Sequence, residues 1–112
     1  MVDIASFKSM ALSFPETVEL PHFEKASFRV KNKIFATLDI ANQKACLKFS
    51  EIDQSVFCCI DTAIIYPVAN KWGKQGWTLV ELKKVKKPLL KNALSKAYVE
   101  VASTKTKAKN KP

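Results

Sequence analysis

The stretch SFRVKNKIFATLDI, residues 27–40, constrains what this chain can fold into more than any other. Apolar residues alternate on both sides of Lys31-Asn32. Phe28 and Val30 share one parity, and Ile34, Phe35, Ala36 and Leu38 follow the break. A period of two interrupted by a polar pair is the pattern of two half-buried strands joined by a tight turn. Asn32 suits the turn because asparagine enters the left-handed backbone region more readily than most residues.

The rest of the chain arranges itself around that hairpin. Ile4, Phe7, Met10, Ala11 and Phe14 recur at helical spacing, which predicts an amphipathic helix over 3–14 with Asp3 as N-cap and Pro15 as its end. Pro21 makes a further break before the extended region. A second turn at ANQ leads into KACLKFS, where Ala45, Leu47 and Phe49 alternate with Cys46 and Lys48 as in a half-buried strand. Ser50, followed three residues later by Asp53, opens a short inserted helix. TAIIYPVA reads as a short strand that Pro67 ends or pushes to an edge. GWTLVELKK alternates again, with Trp77, Leu79 and Glu81 on one face and Thr78, Val80 and Leu82 on the other. Pro88 suits the first turn of a closing helix whose apolar stripe is Leu90, Leu94, Ala97 and Val101, with Ala93 and Tyr98 beside it. The expectation is a single-domain α+β layer sandwich over 1–102: an antiparallel sheet of about five strands with N-terminal, inserted and C-terminal helices. Residues 103–112, STKTKAKNKP, hold no large hydrophobe and read as a disordered basic tail.

Charge is unevenly spread. Residues 1–70 carry seven Lys or Arg against eight Asp or Glu, whereas 71–112 carry twelve lysines against Glu81 and Glu100. That asymmetry raises the expectation of a polyanionic partner without identifying it. No apolar run approaches the ~20 residues that span a bilayer, and MVDIASFKSM lacks the pattern of a secretion signal. A cytoplasmic monomer with no membrane partner is expected. Cys46, Cys58 and Cys59 form neither a CxxC pair nor an even set, and read as buried, reduced thiols.

Catalytic machinery is not visible. His22 stands alone, Glu16 and Glu19 follow a helix-ending proline, and two glycines cannot build a phosphate-cradling loop. No cofactor, metal or enzymatic activity is expected. What remains is the basic, aromatic region NKWGKQGWTLVELKKVKK. It interleaves Lys71, Lys74, Lys83, Lys84, Lys86 and Lys87 with Trp72 and Trp77. Polyanion binders use cations on one face to displace counterions, and aromatic rings to stack on bases. NKWGKQGW itself reads as a strand-to-strand loop, with Trp77 expected in the core and Trp72 exposed. Arg29, Lys31 and Lys33 around the hairpin tip form a second basic projection, and the two side by side would act as wings against a duplex. A single arginine argues against reading base sequence.

Taken in order, FPETVELPHFEKASFRVKNKIFATL, ACLKFS, IIYPVANKWGKQGWTLVEL and a helix ending in KAYVEVA resemble the MmcQ/YjbR family of small bacterial proteins over about residues 3–102. The resemblance implies a compact α+β fold similar to CyaY and to secretion-chaperone-like domains, and DNA binding through a pair of hairpin wings. Family members usually carry glycine where this chain has Asn32, and often a Ser-Tyr pair where it has Ala97-Tyr98. No catalytic residue comes over. The functional expectation is weak, largely non-sequence-specific DNA binding by Arg29, Lys31, Lys33, Lys71, Trp72, Lys74, Lys83, Lys84, Lys86 and Lys87. The alternatives are a protein-interaction module that uses an exposed sheet face, and a small-ligand or metal-binding protein.

Overall fold

The computed structural model describes residues 2–109, with side chains to Ser103. Helix α1 (Ile4–Leu12) starts where the Asp3 carboxylate accepts the Ser6 amide at 3.1 Å, the cap its sequence predicts. Strand β1 (Thr17–His22) follows and pairs along its whole length with β2 (Lys25–Val30). β2 turns through Lys31 and Asn32 into β3 (Lys33–Asp39), and a further turn leads to β4 (Lys44–Lys48). Helix α2 (Glu51–Cys58) is capped by Ser50 Oγ, which accepts the Asp53 amide at 3.1 Å. Next come β5 (Ile65–Pro67), the single-turn helix α3 (Lys71–Lys74), β6 (Trp77–Glu81) and the long helix α4 (Lys87–Lys109).

The sheet has six strands, in the order β1-β2-β3-β4-β6-β5, and every neighbouring pair is antiparallel. The strand beyond the expected five is β1. Its Pro21 argued for a break, but β1 is an edge strand, where a missing amide removes no bond from a central ladder. Pro67 lies in β5, the opposite edge strand. Lys31 and Asn32 both have positive φ, 54° and 68°, so the turn is of the primed type whose twist matches that of the strands it joins.

One face of the sheet is covered. Phe28, Ala36, Leu38, Leu47, Val80 and Ile65 project from it and are buried under α1, α2 and α4. A bulge tunes this face. Phe28 lies opposite Ala36 but Arg29 lies opposite Ile34, so Phe35 is extra, and Phe35 and Ala36 are both fully buried. Phe35 there meets Tyr98 of α4 edge-on at 5.6 Å, and Tyr98 stacks on Phe14 at 4.8 Å. The Tyr98 hydroxyl donates to the Pro15 carbonyl at 2.8 Å, which ties α4 to the turn between α1 and β1. The stripe expected on the closing helix is present, with Leu90, Ala93, Leu94, Ala97 and Val101 buried. The backbone of α4 continues to Lys109, beyond the 1–102 limit. The expected disordered tail at 103–112 lies largely outside the described side chains, and its last three residues outside the described chain.

Two expectations need correction. The thiols are free but none is fully buried: Cys59 is exposed just past α2, Cys58 is half-buried in its last turn, and Cys46 is half-buried on the other face of the sheet from the core. Trp77 is not a core residue. Thr78, Val80 and Leu82 take the covered parity, which leaves Trp77 half-buried on the other face, opposite Lys48 of β4.

The turn at Lys31-Asn32 yields a direct test. Asn32→Val should cost about 1–2 kcal/mol, because a β-branched residue resists positive φ, whereas Asn32→Gly should match or slightly exceed the wild type. Urea unfolding midpoints of the two variants check this.

Candidate functional site on the open face of the sheet

No described helix lies across the second face of the sheet. Pairing places Leu20, Ser27, Thr37, Cys46, Leu79 and Tyr66 in one row across it. Val18, Arg29 and Ile34 lie in an adjoining row, and Lys48 faces Trp77 on the far side. The middle of this face is recessed into a groove of about 570 Å³. Ile34, Thr37, Cys46 and Leu79 form its floor, Val68, Trp72 and Trp77 stand along one side, and His22 and Lys25 close the other.

The wall carrying Trp72 exists because two glycines allow it. Gly76 has φ +104°, and a Cβ there would lie 1.9 Å from the Phe49 carbonyl oxygen. The Phe49 amide in turn donates to the Gly76 carbonyl at 2.9 Å. A Cβ on Gly73 would lie 1.9 Å from the Val68 carbonyl oxygen. Only glycine permits these approaches, and they pull α3 tightly against the sheet end. Asn70 caps α3, accepting the Trp72 amide at 2.9 Å. Gln54 of α2 fastens the assembly from the covered side, donating to the Gly73 carbonyl at 2.8 Å and reaching Thr78 Oγ1 at 3.1 Å. NKWGKQGW is therefore a strand-to-strand connection, as expected, but one folded around a helical turn that presents Trp72, 48% exposed, at the edge of the groove.

The expected site residues divide between the two ends of the sheet. Strand directions place the β2–β3 turn, the end of β4, α3 and the start of β6 together at one end. Arg29, Lys31, Lys33, Lys71, Trp72 and Lys74 thus share that end. Lys83, Lys84, Lys86 and Lys87 are at the other, after Glu81. They are not strand residues: they lie on a turn and at the head of α4, all exposed, while Leu82 and Val85 between them are buried. The tryptophan end also has Lys48, which in the sequence is only one residue of the solvated parity of β4 and carries no signal of a site. Glu51 and Asp53 are near this end but head α2 on the covered side. The guanidinium of Arg29 is held over the open face by its Nε, which donates to Ser27 Oγ at 3.0 Å.

Acidic groups on the open face are confined to the opposite end and are already engaged. Asp39 accepts the Asn42 side-chain amide at 2.8 Å, which holds its carboxyl below the usual range. The Tyr66 hydroxyl donates to Glu81 Oε2, and Lys44 Nζ lies 3.5 Å from the same oxygen. That hydrogen bond first, and Lys44 second, keep the Glu81 carboxyl below its ordinary value. Among the described residues no three His, Cys, Asp or Glu side chains converge where a metal could sit.

These features define an open-faced α+β sandwich with a basic, tryptophan-bearing end. The YjbR family model matches residues 12–100, and the chain belongs to that family. It is also similar in fold to the crystal structure of Deinococcus radiodurans protein DR2400, described with a DUF419 domain. The two share 24% identity and a TM-score of 0.77, over 90% of this chain and 79% of that one. No curated protein matches. No described helix is long and apolar enough to cross a membrane.

The groove floor offers a pH test. Burial pushes the Cys46 thiol up to about 11, with Lys25 opposing the shift. The folded state therefore favours the protonated thiol. That contribution to stability is complete below the ordinary value of 9.0 and is lost as pH rises from there to about 11. Relative to Cys46→Ala, the wild type should lose stability across that window, as read by urea midpoints. Alkylation at pH 8 should reach the exposed Cys59 first and Cys46 last, since the thiolate is the nucleophile; peptide mass spectrometry reads the order.

Proposed function

We propose that this protein binds nucleic acid, weakly and largely without sequence preference, through the end of the sheet that carries the β2–β3 turn and α3. The observation that carries this reading is the gathering of Arg29, Lys31, Lys33, Lys48, Lys71 and Lys74 from four separate elements around an open face, while the acids of that face are paired at its far end. Cations so placed displace condensed counterions from a phosphate backbone. The two projections act as a pair of wings, and duplex DNA is the first ligand to try. Sequence discrimination is not expected, since forked recognition of base edges needs arginines and Arg29 is partly committed to Ser27. The role is binding rather than catalysis, and the binding unit is a monomer in the cytoplasm.

A second reading, a chaperone-like protein-interaction module, draws support from Val18 and Leu20, which are 50% and 43% exposed on the same face along edge strand β1. An extended segment added at that edge would use it.

Fluorescence anisotropy of labelled duplex DNA across a salt series separates the readings. Changing Lys31, Lys33, Lys71 and Lys74 together to Gln should flatten the logarithmic salt dependence by about one unit for each phosphate no longer neutralised. The same change at Lys83, Lys84, Lys86 and Lys87 should have a smaller effect, and a chain ending at Ser103 should still bind. Binding that disappears with the residues after 103, or is absent at moderate salt, would transfer the case to the interaction module.

A further inference from the structure

We infer that the groove on the open face seats an unstacked nucleobase, so that the preferred ligand of this surface is single-stranded nucleic acid rather than duplex. This deepens the nucleic-acid reading above and rests on it. The first reason is shape. The apolar side chains lie on a recessed floor of Ile34, Leu79 and Cys46, and not on a ridge. Its volume of about 570 Å³ falls within the range of small-molecule sites, roughly 300–1,000 Å³. A duplex keeps its base faces stacked inside and shows only base edges, sugar and phosphate, whereas a single strand can splay a whole base into the recess.

The second reason is the chemistry of the wall. Trp72 and Trp77 both border the groove, and neither indole N–H makes a hydrogen bond among the described residues. The Thr37 hydroxyl on the floor is likewise without a partner among those residues. The groove thus offers ring faces for stacking, which tolerates any base, together with a few uncommitted polar groups for its edge.

The third reason is charge. Lys25 borders the groove on one side, Lys48 and Arg29 project from the same sheet face, and Lys71 adjoins Trp72. A strand whose base enters the recess would lay its flanking phosphates along these cations. An uncharged apolar peptide would leave them unused.

The test uses the full-length protein, intrinsic tryptophan fluorescence, and anisotropy of three labelled probes: an oligothymidylate of about 12 nucleotides, an abasic strand of equal length and charge, and a duplex. The thymidylate should bind about tenfold or more tighter than the abasic strand, bind tighter than the duplex, and quench the tryptophan emission. Trp72→Ala, at an exposed position, should remove most of that advantage and most of the quench while leaving the salt dependence and the far-ultraviolet circular dichroism unchanged. Equal affinity for abasic and base-bearing strands with no quench, or a preference for duplex, would overturn the base seat and leave the phosphate-binding surface standing. An absence of binding to all three probes at low salt would overturn both.

Discussion

The structure depends on the register of the β2–β3 hairpin. Side chains alternate with a period of two, so a slip of one residue would send Phe28, Ala36 and Leu38 to the open face and bring Ser27, Thr37 and Arg29 under the helices. The positive φ values of Lys31 and Asn32 hold that register at its tight end. The bulge at Phe35 then absorbs one residue, so that a phenylalanine and an alanine in succession both point inward. Fully burying a side chain such as Phe28 or Leu38 is worth about 1.5–3 kcal/mol, so a slipped register would forfeit several such contributions together.

Everything on the open face follows from that allocation. Once α1, α2 and α4 take one side, the residues of the other parity must form a surface that tolerates water. Most rows do so with threonine, serine and paired charges. The exceptions are Val18 and Leu20 along edge strand β1, and a group of Ile34, Leu79, Trp77 and Trp72 at the groove. The close glycine approaches hold α3 at the sheet end, so the wall bearing Trp72 is built by the backbone and does not depend on the mobility of a loop.

Much of this was legible in the residues. The caps Asp3 and Ser50, the turn at Lys31-Asn32, the apolar stripe of α4 and the two parities of β6 each rest on interactions between near neighbours in the chain, and each lies where expected. Strand β1 was not legible, because a proline within a short polar-rich stretch carries no signal that the stretch will be an edge. Trp77 defeats a reading by size and hydrophobicity, which argue for the core, because strand parity argues against it. The covered side has room only for the parity of Thr78 and Val80.

Local order is thus written in the chain itself: which segments are helices and strands, β1 and the single turn of α3 excepted, where the central turn falls, and that the positive charge is weighted toward the second half. Grouping arises only when the strands pair. Along the chain the basic residues form one run and a separate hairpin, yet strand direction joins the hairpin to α3 and sends Lys83, Lys84, Lys86 and Lys87 to the opposite end. Lys25, Lys48, Thr37 and Cys46 become neighbours of the tryptophans only through pairing between strands far apart in sequence. The physical reason is that hydrogen bonding and steric preference along the chain act over a few residues, whereas the composition of a surface is set by which parities of several strands the packed helices leave uncovered.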